Sequence, residues 1–579
     1  MTAPRTFEGV PASPGVATGR AVVLAGTAGL PDLGPGDDEV VRDPRQAALR
    51  VDEALDAVAA DLRALADRLR RNGRADEAEI VGVGALIADD PALRTEARRE
   101  AAEGRSPSRA VLRAAERHAA AIAAIGDPVL SERAADVRQV GRRAAALLSG
   151  EGSGSPEPSR GNGTGGVLLA EELGPADILG MEEGDIVAAA AVRGGPNAHA
   201  AIVARSLGLP MVLGIDPALL RVPEGTAVVV DGDRGSVTVA PGDDAMTTAR
   251  AAMESIARRK TALAAGRHLP SETADRVAVA LLCNVATAAE TRAGLESGAA
   301  GVGLLRTELP FLEATSWPDE EAHRRVLRPI LSQLGGRVAT VRVLDFGGDK
   351  VPPFLTAAQD GREGQARGLP PLLRTPDALG SQLRAALRTG AATRLRILVP
   401  MVTSLREVQL AREELERAVE AVGSQDAGDP ELGVMVEVPS AALLAERLAT
   451  QVDFLSIGTN DLTERVLGVH RRDPGARPAL AAHPTVITLI KRVVRAGAAH
   501  GKPVGVCGEA AGDPLVLPLL VGVGVSSVSV SPSRVDEVRA RVRSLNAETC
   551  RQVARAAVRL DSVEAVWDLV RDRALPEIG

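Results

Sequence analysis

GVGLLRTELPF, residues 301–311, holds the plan of this chain in miniature: a run of apolar and glycine residues the length of one buried strand, then a turn carrying Arg306 and Glu308. Seven further runs share the form, at residues 277–285, 338–346, 395–402, 432–439, 452–461, 503–510 and 525–532. Polar or reactive residues stand at or near their C-terminal ends: Asn284, Arg342 with Asp345, Glu437, Asn460 with Asp461, and Cys507. Strands that alternate with helical patterns predict a parallel sheet, and eight of them predict a (β/α)8 TIM barrel. Such a barrel keeps its active site at the C-terminal strand ends, where these residues lie.

At 579 residues the chain exceeds what one core can hold and divides into about three or four domains. Hydrophobic residues make up 45%, yet there is no Tyr, with five Phe and two Trp, so the cores are aliphatic. Few aromatics and a formal charge of −8 argue against a nucleic-acid partner. The three cysteines, Cys283, Cys507 and Cys550, are widely spaced and form no zinc pattern, which fits a reducing compartment. The opening MTAPRTFEGV lacks a signal-peptide apolar region, and no run of about 18 apolar residues exists. The expectation is a soluble, cytoplasmic protein without membrane insertion.

The N-terminal half reads as several pieces. GVPASPGVATGRAVV punctuates β-like segments with Pro and Gly. From about Asp43 to Leu148 apolar residues recur at three- and four-residue spacing, the mark of a helical domain. Residues 151–166, EGSGSPEPSRGNGTGG, have linker composition. Short β-like runs then alternate with HAAIVARSLG as far as Pro241, and residues 243–263 predict a helix. The expected division is an α/β multidomain chain: an α/β domain from residues 1–30 and 150–241, an inserted helical bundle at 31–149, a helical linker at 242–267 and the barrel at 268–579.

In RGGPNAHAAI, residues 193–202, Asn197 is a competent N-cap, which puts His199 in the first turn of a helix. There the positive end of the macrodipole favours a neutral, nucleophilic imidazole and stabilises a phosphate placed on it. Taken alone, a histidine at a helix start is more often a surface or capping residue.

GGPNAHAAIVARSLGLPMVLG, residues 194–214, resembles the phosphohistidine segment of the phosphoenolpyruvate-utilising enzymes, in which a swivelling domain carries a histidine that accepts phosphate. GVGLLRTELPF (301–311), VRVLDFGGDK (341–350), GVMVEVPSAALLA (433–445), FLSIGTNDLT (454–463) and GVCGEAAGD (505–513) resemble, in order, the phosphoenolpyruvate-binding barrel of the same family. With GVPASPGVATG at the start and ERAADVRQVGRR in the helical region, the resemblance covers almost the whole chain and is closest to Enzyme I of the sugar phosphotransferase system.

The resemblance implies that His199 takes phosphate from phosphoenolpyruvate and passes it to HPr or an HPr-like carrier, with release of pyruvate. Substrate phosphate and carboxylate need forked donors, a role for Arg306, Arg342 and Arg471, with Arg367 and Asn460 as further contacts. Glu437 and Asp461 would hold Mg2+, and Cys507 would protonate the pyruvate enolate. Lys350 either touches phosphate or finishes a loop. A homodimer formed through the barrel is also implied. The chain departs from the family at Asn197-Ala198, where Thr-Ser or Thr-Cys is usual, at GREGQARGL around Arg367, and at Val81 and Gly84 on the carrier-docking helix. Those departures leave room for a catalytically modified paralogue with a regulatory role or another carrier. A dikinase or synthase relative is disfavoured because the first 150 residues show no Gly-rich phosphate loop.

Overall fold

The structure, a computed structural model, describes residues 4–24, 43–71, 74–124, 128–149, 165–181, 185–195, 198–311, 314–346, 352, 355, 368–470 and 477–575. The chain separates into two compact units, Met1–Lys260 and Thr261–Gly579. A long helix, Asp243–Ala265, carries the boundary between them.

The first unit joins a sheet to a helical bundle. Its strands are β1 (Arg5–Glu8), β2 (Val10–Ser13), β3 (Val16–Val23), β4 (Gly166–Ala170), β5 (Ile186–Ala191), β6 (Met211–Leu213), β7 (Ala227–Asp231) and β8 (Ser236–Val239). They form one sheet in the order β1-β8-β7-β3-β4-β5-β6-β2. The central pairs β3–β4, β4–β5 and β5–β6 are parallel, and the flanking pairs are antiparallel. Alternate residues of a strand face opposite sides, and the cores follow that rule. Leu168, Ala170, Ala189 and Ala191 join the core shared with the helices, whereas Val167, Leu169, Ala188 and Ala190 join a second core with Phe7, Val228 and Val230.

Five helices build the bundle: α1 (Pro44–Arg71), α2 (Ala75–Ala88), α3 (Pro91–Ala102), α4 (Pro107–Ala123) and α5 (Pro128–Leu148). On α1, Val51, Leu55, Val58, Leu62, Ala66 and Leu69 are buried at the spacing of a single helical face. Two short helices of the sheet region bear on the site, α6 (Pro175–Gly180) and α7 (His199–Leu207).

In the second unit, all eight apolar runs become strands, β10 over the whole of its run of residues 301–305 and the others shorter than theirs. They are β9 (Ala280–Val285), β10 (Gly301–Leu305), β11 (Val338–Arg342), β12 (Arg394–Val399), β13 (Glu431–Val436), β14 (Phe454–Ile457), β15 (Val504–Val506) and β16 (Ser527–Val530). Every neighbouring pair is parallel, and β16 pairs with β9 to close the barrel. Fully buried parallel strands read as continuous apolar runs, which is why the sequence exposes them. Inside the barrel Leu304, Leu398, Met435, Phe454 and Cys507 form a small apolar plug. Gly433 makes space for the Phe454 ring, since a Cβ there would come within 2.3 Å of it. Arg396 stacks over that ring at 4.8 Å and pairs with Glu431, at the end of the barrel opposite the strand C-termini. The plug leaves the chemistry to the mouth above it, which Cys507, directly after β15, also borders.

Candidate active site

β5 runs out through Gly194, whose φ of 111° is one that L side chains rarely adopt, before the chain turns into α7. His199 is the first residue of that helix. The N-cap position belongs to Ala198, which makes no side-chain cap, so the capping role read for Asn197 is corrected to the next residue. Asn197 itself lies outside the described residues. The first turn of a helix presents N–H groups and a positive dipole end, and the expected setting for His199 is therefore present without a capping side chain.

The decisive partner of His199 comes from the bundle. Asp136 on α5 places Oδ2 2.9 Å from His199 Nδ1. The Asp136 side chain is 5% exposed and that of His199 22%. With a proton on Nδ1 donated to Asp136, the lone pair resides on Nε2, and the ring is fixed in orientation. Arg138 and Arg142 reach Glu172 at 3.2 and 3.5 Å, tying α5 to the segment after β4.

At the barrel mouth the strand-end residues interlock. Arg342 donates through Nε to Glu308 at 3.1 Å, its Nη2 lies 3.0 Å from the same oxygen, and its Nη1 lies 3.7 Å from Asp345. The Asp345 N–H also donates to Glu308. Gln382, on helix Pro376–Gly390, accepts from the Leu344 N–H at 2.9 Å and donates to Thr307 Oγ1 at 3.0 Å, so it clasps the turns after β10 and β11 together. Glu437 accepts from the Met401 N–H at 2.7 Å. Cys507 takes a hydrogen bond from Ser456 Oγ at 3.3 Å, and its carbonyl accepts from Asn284.

Electrostatics shows that these groups feel one another. Burial works against the Arg342 charge, but Glu308, Asp345 and Glu437 outweigh it and push its pKa up. Glu437 goes up to about 8 because it is buried and because Asp345 and Asp461 add like charge, against the pull of Arg342. The Cys507 thiol rises to about 11, chiefly by burial, with Glu437 adding to the rise and Ser456, Arg342 and Arg306 opposing it. Arg306, Arg342, Glu437, Asp461 and Cys507 stand at or within a few residues of the C-terminal ends of β10, β11, β13, β14 and β15, and so at one mouth of the closed barrel.

Asn460 lies in the first turn of the helix that follows β14. Its Nδ2 donates to Glu509 Oε1 at 3.0 Å and its Oδ1 accepts from the Glu509 N–H at 2.9 Å, so its amide is engaged on both sides. Arg367, Arg471 and Lys350 lie outside the described residues. Sequence reasoning missed Asp136, Gln382 and Ser456, and left Glu308 without a role. Asp136 lies within ERAADVRQVGRR (132–143) and Ser456 within FLSIGTNDLT (454–463), both motifs that the sequence offered, whereas no short-range signal marks Gln382. Cys283 and Cys550 are buried, in keeping with an inert role.

Three family models cover most of the chain: PEP-utilising enzyme, N-terminal, at residues 8–133; PEP-utilising enzyme, mobile domain, at 163–235; and PEP-utilising enzyme, PEP-binding domain, at 260–547. A phosphoenolpyruvate-protein phosphotransferase of Staphylococcus carnosus is 32% identical over 98% of this chain and 99% of its own length. The chain belongs to the phosphoenolpyruvate-utilising enzymes. A phosphoenolpyruvate-protein phosphotransferase of Streptomyces coelicolor is 36% identical to this phosphoenolpyruvate-utilising enzyme, over 96% of the chain and 97% of that protein. A multiphosphoryl transfer protein of Xanthomonas campestris is 36% identical over 98% of the chain, which spans 67% of that longer protein.

Within the mobile-domain match lies His199, and within the PEP-binding match lie Arg306, Arg342, Glu437, Asp461 and Cys507. Among the described residues of this phosphoenolpyruvate-utilising enzyme, no helix is long and apolar enough to cross a membrane.

Proposed function

We propose that this phosphoenolpyruvate-utilising enzyme moves the phosphoryl group of phosphoenolpyruvate to Nε2 of His199 and then to a histidine of HPr or an HPr-like carrier. The observation that carries this reading is the convergence of Arg306, Arg342, Glu437, Asp461 and Cys507 at one barrel mouth. Arg306 and Arg342 bind the phosphate and carboxylate of the substrate, Arg342 being held in place by Glu308 and Asp345. The His199 Nε2 lone pair forms the new bond to phosphorus while the bond from phosphorus to the enol oxygen breaks. The departing enolate takes a proton at carbon three from the Cys507 thiol, giving pyruvate, and the thiolate is reprotonated from solvent. A carrier imidazole then attacks the same phosphorus and restores His199.

Glu437 and Asp461 fit a divalent cation. Both are buried, both are hard oxygen donors, and the like-charge penalty on Glu437 is one that a cation relieves. Among the described residues no cluster of three His, Cys, Asp or Glu forms a complete cage. That agrees with Mg2+, which commonly binds through one or two carboxylates plus substrate oxygens and waters. When bound, it would supply positive charge against the phosphate and the developing enolate.

His199 must serve two sites, so the reading includes a swivel of the α/β body of residues 1–30 and 150–241 between the helical body of 31–149 and the barrel of 268–579, about the linker of 242–267. The Asp136 contact supports assigning the arrangement described above to the carrier side of that swing. Dimerisation through the barrel and a cytoplasmic location belong to the same proposal. Incubation with labelled phosphoenolpyruvate and Mg2+ should give acid-labile, base-stable label on His199 and release pyruvate. Label that persists in His199→Ala would overturn the reading. Transfer to a panel of carrier proteins then identifies the acceptor.

A further inference from the structure

Ala198 offers no hydroxyl ahead of the reactive histidine, and the preceding residue is Asn197. A phosphoryl group on a partly buried His199 still needs donors, because unpaired anionic oxygens away from water are costly. α5 holds a candidate. Gln139 follows Asp136 by one helical turn on the same face, and Asp136 is the residue that touches His199. Gln139 is 6% exposed, and its Nε2 is buried with no hydrogen-bond partner. A buried amide donor left unpaired calls for a physical reason.

The neighbours fix where that amide sits. A Cβ on Gly174, just ahead of α6, would fall 2.1 Å from Gln139 Cδ and 2.5 Å from Nε2, so glycine at 174 is what admits the carboxamide. α6 packs against α7, whose first residue is His199. The amide therefore stands against the start of α6, one turn along α5 from the carboxylate that touches His199. The nine-residue α7 contributes the positive end of its dipole to the same region.

We propose that Gln139 Nε2 donates a hydrogen bond to the phosphoryl group carried by His199, in the role that hydroxyls ahead of the histidine would otherwise fill. This rests on the assignment of His199 as the phosphorylated residue. Potassium phosphoramidate loads histidine directly and bypasses the barrel, so loading by that reagent tests the amide separately from the phosphoenolpyruvate reaction. Gln139→Leu removes the donor at similar volume, and Gln139→Glu opposes the phosphate with a carboxylate.

Gln139→Leu should melt no lower than wild type, since it loses only an unpaired polar group. Its phosphoramidate loading of His199 should fall about tenfold, as expected for one hydrogen bond to a charged group, with a displaced 31P resonance. Gln139→Glu should load more slowly still. If Gln139→Leu melts below wild type, Gln139→Met is read in its place. Wild-type loading and an unchanged 31P resonance in the isosteric variant would overturn the proposal. Wild-type protein that loads from phosphoramidate but not from phosphoenolpyruvate would instead sink the functional reading and leave this comparison intact.

Discussion

Asp136 Oδ2 stands 2.9 Å from His199 Nδ1, although 63 residues separate the two in sequence. A carboxylate on one ring nitrogen orients the imidazole and settles which nitrogen carries the lone pair. The pairing links the helical bundle directly to the candidate nucleophile.

Asp136→Asn keeps an oxygen acceptor for Nδ1 but removes the charge. Phosphorylation of His199 should slow by roughly a hundredfold or more, within the range of about 10²- to 10⁴-fold that such positioned groups supply. Rapid-quench labelling measures the rate, and the KM for phosphoenolpyruvate should stay near wild type because Asp136 belongs to the other unit.

Glu308 and Arg342 form a buried pair, with side chains 5% and 15% exposed. Glu308→Ala leaves the guanidinium with Asp345 as its remaining carboxylate partner, and losing a charge-assisted hydrogen bond of this kind costs about 2 kcal/mol. Urea unfolding should show that loss, and the KM for phosphoenolpyruvate should rise as Arg342 loses its tether. Glu308→Gln should lose less on both counts.

Burial pushes Cys507 and Cys550 up to about 11 and Cys283 up to about 12. Thiolate is the reactive form, so at pH 8 alkylation of native Cys507 by iodoacetamide should run roughly a hundredfold slower than in the unfolded chain. Mass spectrometry over a time course checks this. Cys507→Ala should still form phosphohistidine in one turnover, while enzyme-catalysed protonation of the enolate falls by about a hundredfold or more.

His323 is 1% exposed, and burial pushes its pKa down to about 4. Its ring meets Phe311 edge-on at 4.9 Å, and Nε2 has no hydrogen-bond partner. Between pH 6.5 and 4 the unfolded chain holds a proton on this residue that the folded chain refuses, so stability falls as the pH drops through that window. The loss should reach about 3 kcal/mol near pH 4. His323→Phe should flatten that part of the stability profile, as read by thermal melts from pH 7 to 4.

Legibility followed local pattern. The eight barrel strands were readable because each is buried on both faces and appears as an apolar run. β1 and β6 passed unnoticed: β6 has three residues, and β1 is RTFE, polar at three of its four positions. Both find their place by pairing, with β8 and with β2 respectively. The cap assigned to Asn197 failed by one residue because capping depends on backbone angles, and the composition of the segment leaves those open.

The sequence by itself determined the barrel, the helical bundle and the list of reactive groups at strand ends, because burial period and motif order are written locally. Only the tertiary structure decided that Asp136 holds His199, that Gln382 clasps two strand-end turns and that Glu308 grips Arg342. Those contacts join residues from separate elements, and chain closure, not neighbouring sequence, sets their distance.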